Sequence, residues 1–115
     1  MSDNCIFCKI IRGEVKSEVV YEDENVFAMN DAYPKAPIHI LVMPKKHIEN
    51  ISNATEKEDG DLGTLLPTVR KIAAELKLDG FKLAVNNGAT YGQSVMHLHI
   101  HLLSGQIPSG ALKSL

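Results

Sequence analysis

No stretch of this chain approaches the roughly 20 consecutive apolar residues that a bilayer-spanning helix needs. The opening Met1-Ser2-Asp3-Asn4 has neither the basic start nor the apolar run of a secretory signal. A cytoplasmic protein with no membrane partner is the expectation. Charge of one sign is missing too: 12 basic against 14 acidic side chains leave a formal net charge of -2. That balance excludes a broad basic footprint for nucleic acid and confines phosphate recognition to a local site. Cysteine is reduced to Cys5 and Cys8, which in a reducing compartment are thiols or metal ligands rather than a structural disulfide. Repeats, low-complexity tracts and linkers are absent, and 115 residues allow one sizeable core but not two, so residues 1–115 are read as a single domain.

Against this ordinary background one segment stands out, His97-Leu98-His99-Ile100-His101, preceded by Met96 and followed by Leu102-Leu103. In an extended strand alternate side chains share a face, so the imidazoles are expected in one row with Met96, Leu98, Ile100 and Leu102 in an apolar row behind them. Imidazoles about 7 Å apart along a strand gain nothing from packing on each other. Two functional readings remain: a metal site, since neutral imidazole is a common zinc ligand, or a histidine nucleophile oriented by its neighbours.

The rest of the chain supplies a frame for that segment. A short N-terminal helical turn is expected to end at Arg12-Gly13. Val19–Glu22 and Asn25–Asn30 are β-rich runs separated by Asp23-Glu24, which reads as a hairpin. Asn30, Asp31, Pro34 and Pro37 turn the chain, and Ile38–Met43 forms a third strand, stopped by Pro44, whose imperfect alternation suits burial on both faces. Thr55-Glu56-Lys57-Glu58 fits a capping box, and Leu62, Leu65, Leu66, Val69, Ile72, Ala73 and Leu76 recur at helical spacing. Pro67 interrupts this helix, predicting a kink or two pieces, with Asp79-Gly80 as the stop. Phe81–Asn87 reads as a fourth strand, Gly88–Ser94 as a glycine-bearing loop, and the histidine strand follows. Three strands, a long helix and two strands predict an α+β domain, an antiparallel sheet of about five strands with one face covered by the helix.

The loop before the histidines, Gly92-Gln93-Ser94, suits an anion: glycine lets backbone approach closely, and amide N–H groups with a hydroxyl hold phosphate oxygens. Beside an imidazole this points to phosphoryl chemistry, in which a neutral histidine attacks phosphorus and water later cleaves the phospho-histidine. His99, the middle of the three, is the candidate nucleophile, and His101 and His39 are candidates to orient it or assist proton transfer. Cys5-x-x-Cys8 is half of a tetrahedral zinc site that needs two further ligands. A thioredoxin-like redox pair is disfavoured because the motif has no βαβ context.

Phe7, Ile10, Asp31, Pro37-Ile38-His39, Pro44-Lys45-Lys46-His47, Asn86, Gly92-Gln93-Ser94 and His97–Leu103 together resemble the histidine triad (HIT) nucleotide-binding proteins, the Hint-like branch above all, over about residues 4 to 105. The resemblance implies an enzyme that cleaves purine nucleoside 5′-phosphoramidates, such as AMP joined to an amine, through a nucleotidyl-histidine intermediate. It implies His99 as nucleophile, His101 at the phosphate and leaving group, His39 within the same cluster, and Ser94 as a donor to leaving group or phosphate. Asp31 is matched to the carboxylate that accepts the ribose hydroxyls, Phe7 and Ile10 to walls of the base pocket, and Asn86, Gly92 and Gln93 to the phosphate side. Relatives that keep Cys5 and Cys8 bind structural zinc with histidines matching His47 and His97, which would take His97 out of catalysis. A homodimer in contact through the helix and fourth strand is implied as well. The alternatives are a Fhit-like dinucleoside polyphosphate hydrolase and a nucleotide-binding module with little turnover; a catalytic metal held by all three histidines is a third possibility. The chain departs from the family at Met29 and Asn30, where a histidine or aromatic residue is frequent. It departs again at Ile107–Leu112, which replaces a Trp-Pro-Pro-Gly ending.

Overall fold

The computed structural model describes residues 4–115. Helix α1 (Ile6–Ile11) is followed by strands β1 (Val19–Glu22), β2 (Val26–Asn30) and β3 (Ile38–Pro44), helices α2 (Asp59–Gly63) and α3 (Leu65–Glu75), and strands β4 (Lys82–Ala84) and β5 (Ile100–Ser104). The strands form one sheet in the order β1-β2-β3-β5-β4, with every neighbouring pair antiparallel. This is the α+β architecture expected from the sequence, and no helix among the described residues is long and apolar enough to cross a membrane.

The sheet divides its side chains between two cores. Val26 and Ala28 of β2, Ile40 and Val42 of β3, and Leu98, Ile100 and Leu102 pack with Leu65, Val69 and Ile72 of α3. On the opposite face Phe27, Met29, Leu41 and Met43 pack with Cys5, Phe7 and Cys8 of the N-terminal segment. That covering accounts for the broken alternation of β3, from His39 to Pro44 buried on both faces. It also places α1 on the face to which His39 belongs.

Helix α1 is short and closed at both ends. Cys5 is its N-cap, with Sγ accepting the Cys8 N–H at 3.3 Å. At the other end Gly13, at φ 83°, lets the Gly13 and Glu14 N–H groups bond the carbonyls of Ile10 and Lys9. The long helix departs from expectation at both ends. Its break falls at Thr64, between α2 and α3, so Pro67 lies in the first turn of α3, where a missing N–H costs no helical bond. Its stop is Lys77, at φ 55°, rather than Asp79-Gly80: the Lys77 and Leu78 N–H groups bond the carbonyls of Ala74 and Ala73 at 3.2 and 3.0 Å. The capping box holds, with the Thr55 N–H donating to the Glu58 carboxylate at 2.9 Å.

Two strands are shorter than read from the sequence. β4 covers only Lys82–Ala84, and β5 begins at Ile100, so His97, Leu98 and His99 precede the strand. Their backbone is committed elsewhere: the Leu98 N–H donates to the Ile48 carbonyl at 2.7 Å and the His97 carbonyl is taken by the ring of His99. Leu98, Ile100 and Leu102 still line up toward α3, but Met96 is exposed and takes no part in that row.

Candidate active site

The three histidines are not equivalent. The His97 ring donates from Nε2 to the Pro44 carbonyl at 2.8 Å, because a carbonyl only accepts, so the Nδ1 lone pair is free. That lone pair lies 3.5 Å from Sγ of Cys5 and 3.5 Å from Sγ of Cys8. Nδ1 of His47 lies 3.3 Å from the Cys8 sulfur, and the four ligand atoms fall within 4.8 Å of one another. Cys5, Cys8, His47 and His97 thus come from α1, the turn after β3 and the segment before β5 into one cluster able to hold a metal ion. His97 itself is fully buried.

His99 has the opposite tautomer. Its Nδ1–H donates to the His97 carbonyl at 2.8 Å, which leaves Nε2 with the lone pair. The ring stands edge-on to Phe7, centroids 5.0 Å apart at 88°. A further chain of bonds sets the other two rings. The Lys35 N–H donates to His39 Nδ1 at 3.0 Å, so in the neutral ring the His39 proton sits on Nε2, 3.0 Å from His101 Nδ1. His101 must then carry its own proton on Nε2, a buried atom with no hydrogen-bond partner among the described residues. The ring of His99, with its Nε2 lone pair, and the ring of His101, with its spare N–H, are neighbours, centroids 5.0 Å apart at 61°.

Burial keeps these rings uncharged. It pushes His97 and His101 down to about 4, the latter helped by the neighbouring His99 and His39, and it lowers His99 and His39 as well. The carboxylate of Asp31 lies 3.4 Å from His39 Nε2 and opposes that shift. Its other oxygen accepts the Tyr33 N–H at 2.8 Å. Among the described residues a second triplet, Asp31, His39 and His101, gathers ligating atoms.

These groups open on a cleft of about 460 Å³ whose lining includes Phe7, Ile10, Asp31, His39, Ser94, His99 and His101. Seven of the residues singled out from sequence therefore meet in one place. Asn86, Gly92 and Gln93 do not line it. Gln93 is buried and fully engaged as a loop brace, its amide donating to the Glu49 and Val95 carbonyls and its oxygen accepting the Gly88 N–H at 2.8 Å. Asn86 donates to the Leu115 carbonyl at 2.9 Å. Gly92, at φ 97°, is in a conformation that strains any side chain, and a Cβ there would be tight, 3.3 Å from both Asn86 Nδ2 and the Leu115 oxygen. Together they clasp the C-terminal segment, whose Ser114 and Leu115 line the cleft. The sequence marked the tail only as a departure at Ile107–Leu112, and it offered no signal for the two main-chain groups that set tautomers, Lys35 N–H and Pro44 C=O.

A pocket of this chemistry on this sheet defines a class. The HIT domain family model matches residues 12–107, and the chain belongs to that family. An uncharacterized HIT-like protein of Synechococcus elongatus is 49% identical over 107 residues, 92% of this chain and 94% of the relative. Among solved structures, a histidine triad protein from Clostridium difficile superimposes with a TM-score of 0.89 at 44% identity, covering 95% of this chain and 97% of that one. A HIT family hydrolase from Clostridium thermocellum gives 0.88 at 42% identity, covering 92% and 94%.

Proposed function

We propose that this protein is a Hint-like nucleotidyl hydrolase that cleaves nucleoside 5′-phosphoramidates. The observation that carries the reading is the tautomer pair, a bare Nε2 on His99 beside an unengaged Nε2–H on His101, both buried at one cleft. The His99 lone pair attacks the phosphorus, forming an N–P bond as the P–N bond to the amine breaks. The amine leaves with a proton, for which the Ser94 hydroxyl on the cleft lining is the suitable donor. The His101 N–H donates to a non-bridging oxygen, where negative charge builds in the transition state. Water then attacks the nucleotidyl-histidine and returns a proton to Ser94, a P–O bond replaces the bond to His99, which leaves as the neutral imidazole, and nucleoside monophosphate departs. Asp31 suits the ribose hydroxyls, since a carboxylate accepts both, and Phe7 and Ile10 suit the base. The similarity to the Clostridium thermocellum protein, a HIT family hydrolase, supports this class of reaction.

The Cys5, Cys8, His47 and His97 cluster fits zinc. Zn–S bonds of about 2.3 Å and Zn–N bonds of about 2.0–2.1 Å at a tetrahedral centre put sulfur and nitrogen about 3.5 Å apart, and the observed separations are 3.3 to 3.5 Å. The Pro44 carbonyl supplies the outer hydrogen bond that holds His97 in its ligating tautomer. Bound there, zinc would tie α1 to the His97 segment, a structural service. A homodimer through β4, an edge strand, and α3 is part of the same proposal: Leu66, Leu83 and Val85 are exposed on these elements or just after them. A cytoplasmic setting, which keeps both thiols reduced, completes it.

The test is hydrolysis of a fluorogenic AMP-amine phosphoramidate by the wild type and by His99→Ala. Turnover by the wild type alone is expected. Equal activity in both, or inertness toward phosphoramidates with cleavage of a dinucleoside polyphosphate, would sink the reading; AMP binding with negligible turnover of either substrate would indicate a binding module instead.

A further inference from the structure

The cleft at His99 continues past Asp31. A second cavity of about 700 Å³ shares Ile10, Met29, Asp31 and His39 with the first, so the two form one trough with Asp31 at the waist. Its walls include the apolar Ile10, Met29 and Pro37, and its lining also carries Lys16, Glu18 and Asn30. Asn30 and Glu18 are joined twice, main chain to main chain by the Asn30 N–H on the Glu18 carbonyl at 2.9 Å and side chain to side chain by Asn30 Nδ2 on Glu18 Oε2 at 3.1 Å. The carboxylate is thereby held in one place, with only part of its accepting capacity used, and the Asn30 oxygen adds another acceptor.

With phosphate at His99 and ribose at Asp31, a base resting on Ile10, which both cavities share, extends its far edge into this second cavity. Guanine presents two adjacent donors on its pairing edge, N1–H and the 2-amino group, with O6 as an acceptor beside them; adenine presents a lone pair at N1. A fixed carboxylate takes the two guanine donors as a parallel pair and meets the adenine lone pair with like charge. A lysine ammonium on the same lining complements O6. We propose that the Glu18–Asn30 pair makes this trough selective for guanine over adenine, so that guanosine 5′-phosphoramidates are the preferred substrate class; this rests on the nucleotidyl-transfer reading above. Glu18 is the specificity-determining residue, and Asn30 is a positioning residue that acts through it. Both are exposed at the rim, so the preference is expected at the lower end of what such paired contacts give, about fivefold.

The experiment measures kcat/KM for matched guanosine and adenosine 5′-phosphoramidates, together with Kd for GMP and AMP by calorimetry, on the wild type, Glu18→Gln and Asn30→Ala. A guanine preference of about fivefold in both readouts is expected, carried by KM rather than kcat. It should fall toward parity in Glu18→Gln, whose amide opposes a donor with a donor, and fall partway in Asn30→Ala, which keeps the carboxylate but frees it. Adenine preferred or equal in the wild type, or a ratio unmoved by Glu18→Gln, overturns the selectivity while turnover leaves the nucleotidyl reading standing. Failure to bind or turn over either nucleotide overturns both.

Discussion

His97 and His99 are two residues apart, both buried, and joined by a single hydrogen bond, yet they face different chemistry with opposite tautomers. One presents Nδ1 to two sulfurs and a histidine; the other presents Nε2 to an open cleft. Spacing in sequence did not separate them. What separates them is which carbonyl each ring meets, Pro44 for the first and the main chain of His97 for the second. A histidine's role is decided by the acceptor behind it.

The sharpest way to break that distinction is at the ring that faces the cleft. His99→Ala should reduce phosphoramidate turnover by about 10³-fold or more while leaving metal content unchanged, measured by steady-state kinetics and elemental analysis on the same samples. Loss of metal along with activity would mean the two ends are one unit. His101→Asn removes the spare N–H without replacing His99, and a drop of about 10²-fold in kcat is expected, with KM nearly constant. At the other end, Cys8→Ser should abolish stoichiometric zinc and cut activity only about tenfold, since it loosens the segment that carries His99 without altering the cleft. Full activity in zinc-free protein would show that the metal end does not support the nucleophile at all.

Acid acts on the cleft imidazoles, as it does on His97. In the unfolded chain His101 titrates at its ordinary 6.5, but burial holds it at about 4 in the fold. Between those values the unfolded chain binds more protons, so the stability that neutral His101 contributes is complete above pH 6.5 and is lost as pH falls toward 4. His39 and His99 shift in the same direction. Melting temperature should fall over this window, and His101→Asn should flatten the slope. The smallest effect is expected far from both ends: Lys77→Gly relieves a left-handed residue at the stop of α3 and should raise stability by about 0.5 kcal/mol by denaturant melts, leaving kinetics and metal content alone.

Sequence patterns reach some of these features and miss others. β2 and β3 are legible because their apolar runs are buried on both sides, and α1 because Gly13 closes it. Asp31, His39, Ser94, His99 and His101, named from residue type and resemblance, line one cleft because β2, β3 and β5 are neighbours in the sheet and the loop before β5 folds over it. Extending the strand back to His97 was an error of the alternation rule, which counts side chains and cannot see that the main chain of 97 and 98 is bonded outside the sheet. Gln93 misled for a related reason: an amide beside a glycine suits a phosphate as well as it suits the main-chain groups of Gly88, Glu49 and Val95. The stop at Lys77 precedes an obvious glycine by three residues, and the left-handed turn there is followed directly by Leu78, which packs against the core. Contacts made by Lys35, Pro44 and Leu115 are main-chain contacts, invisible to residue type.

Main-chain contacts also shape how such a protein can change over evolutionary time. The oxygen that fixes the His99 tautomer belongs to the backbone of position 97, and every amino acid carries it. Replacing His97 would remove a ligand from the cluster without deleting the hydrogen bond that keeps the neighbouring lone pair aimed. Descendants of this chain are therefore free to change the ligating set at position 97 along a path on which the His99 lone pair stays aimed at the cleft.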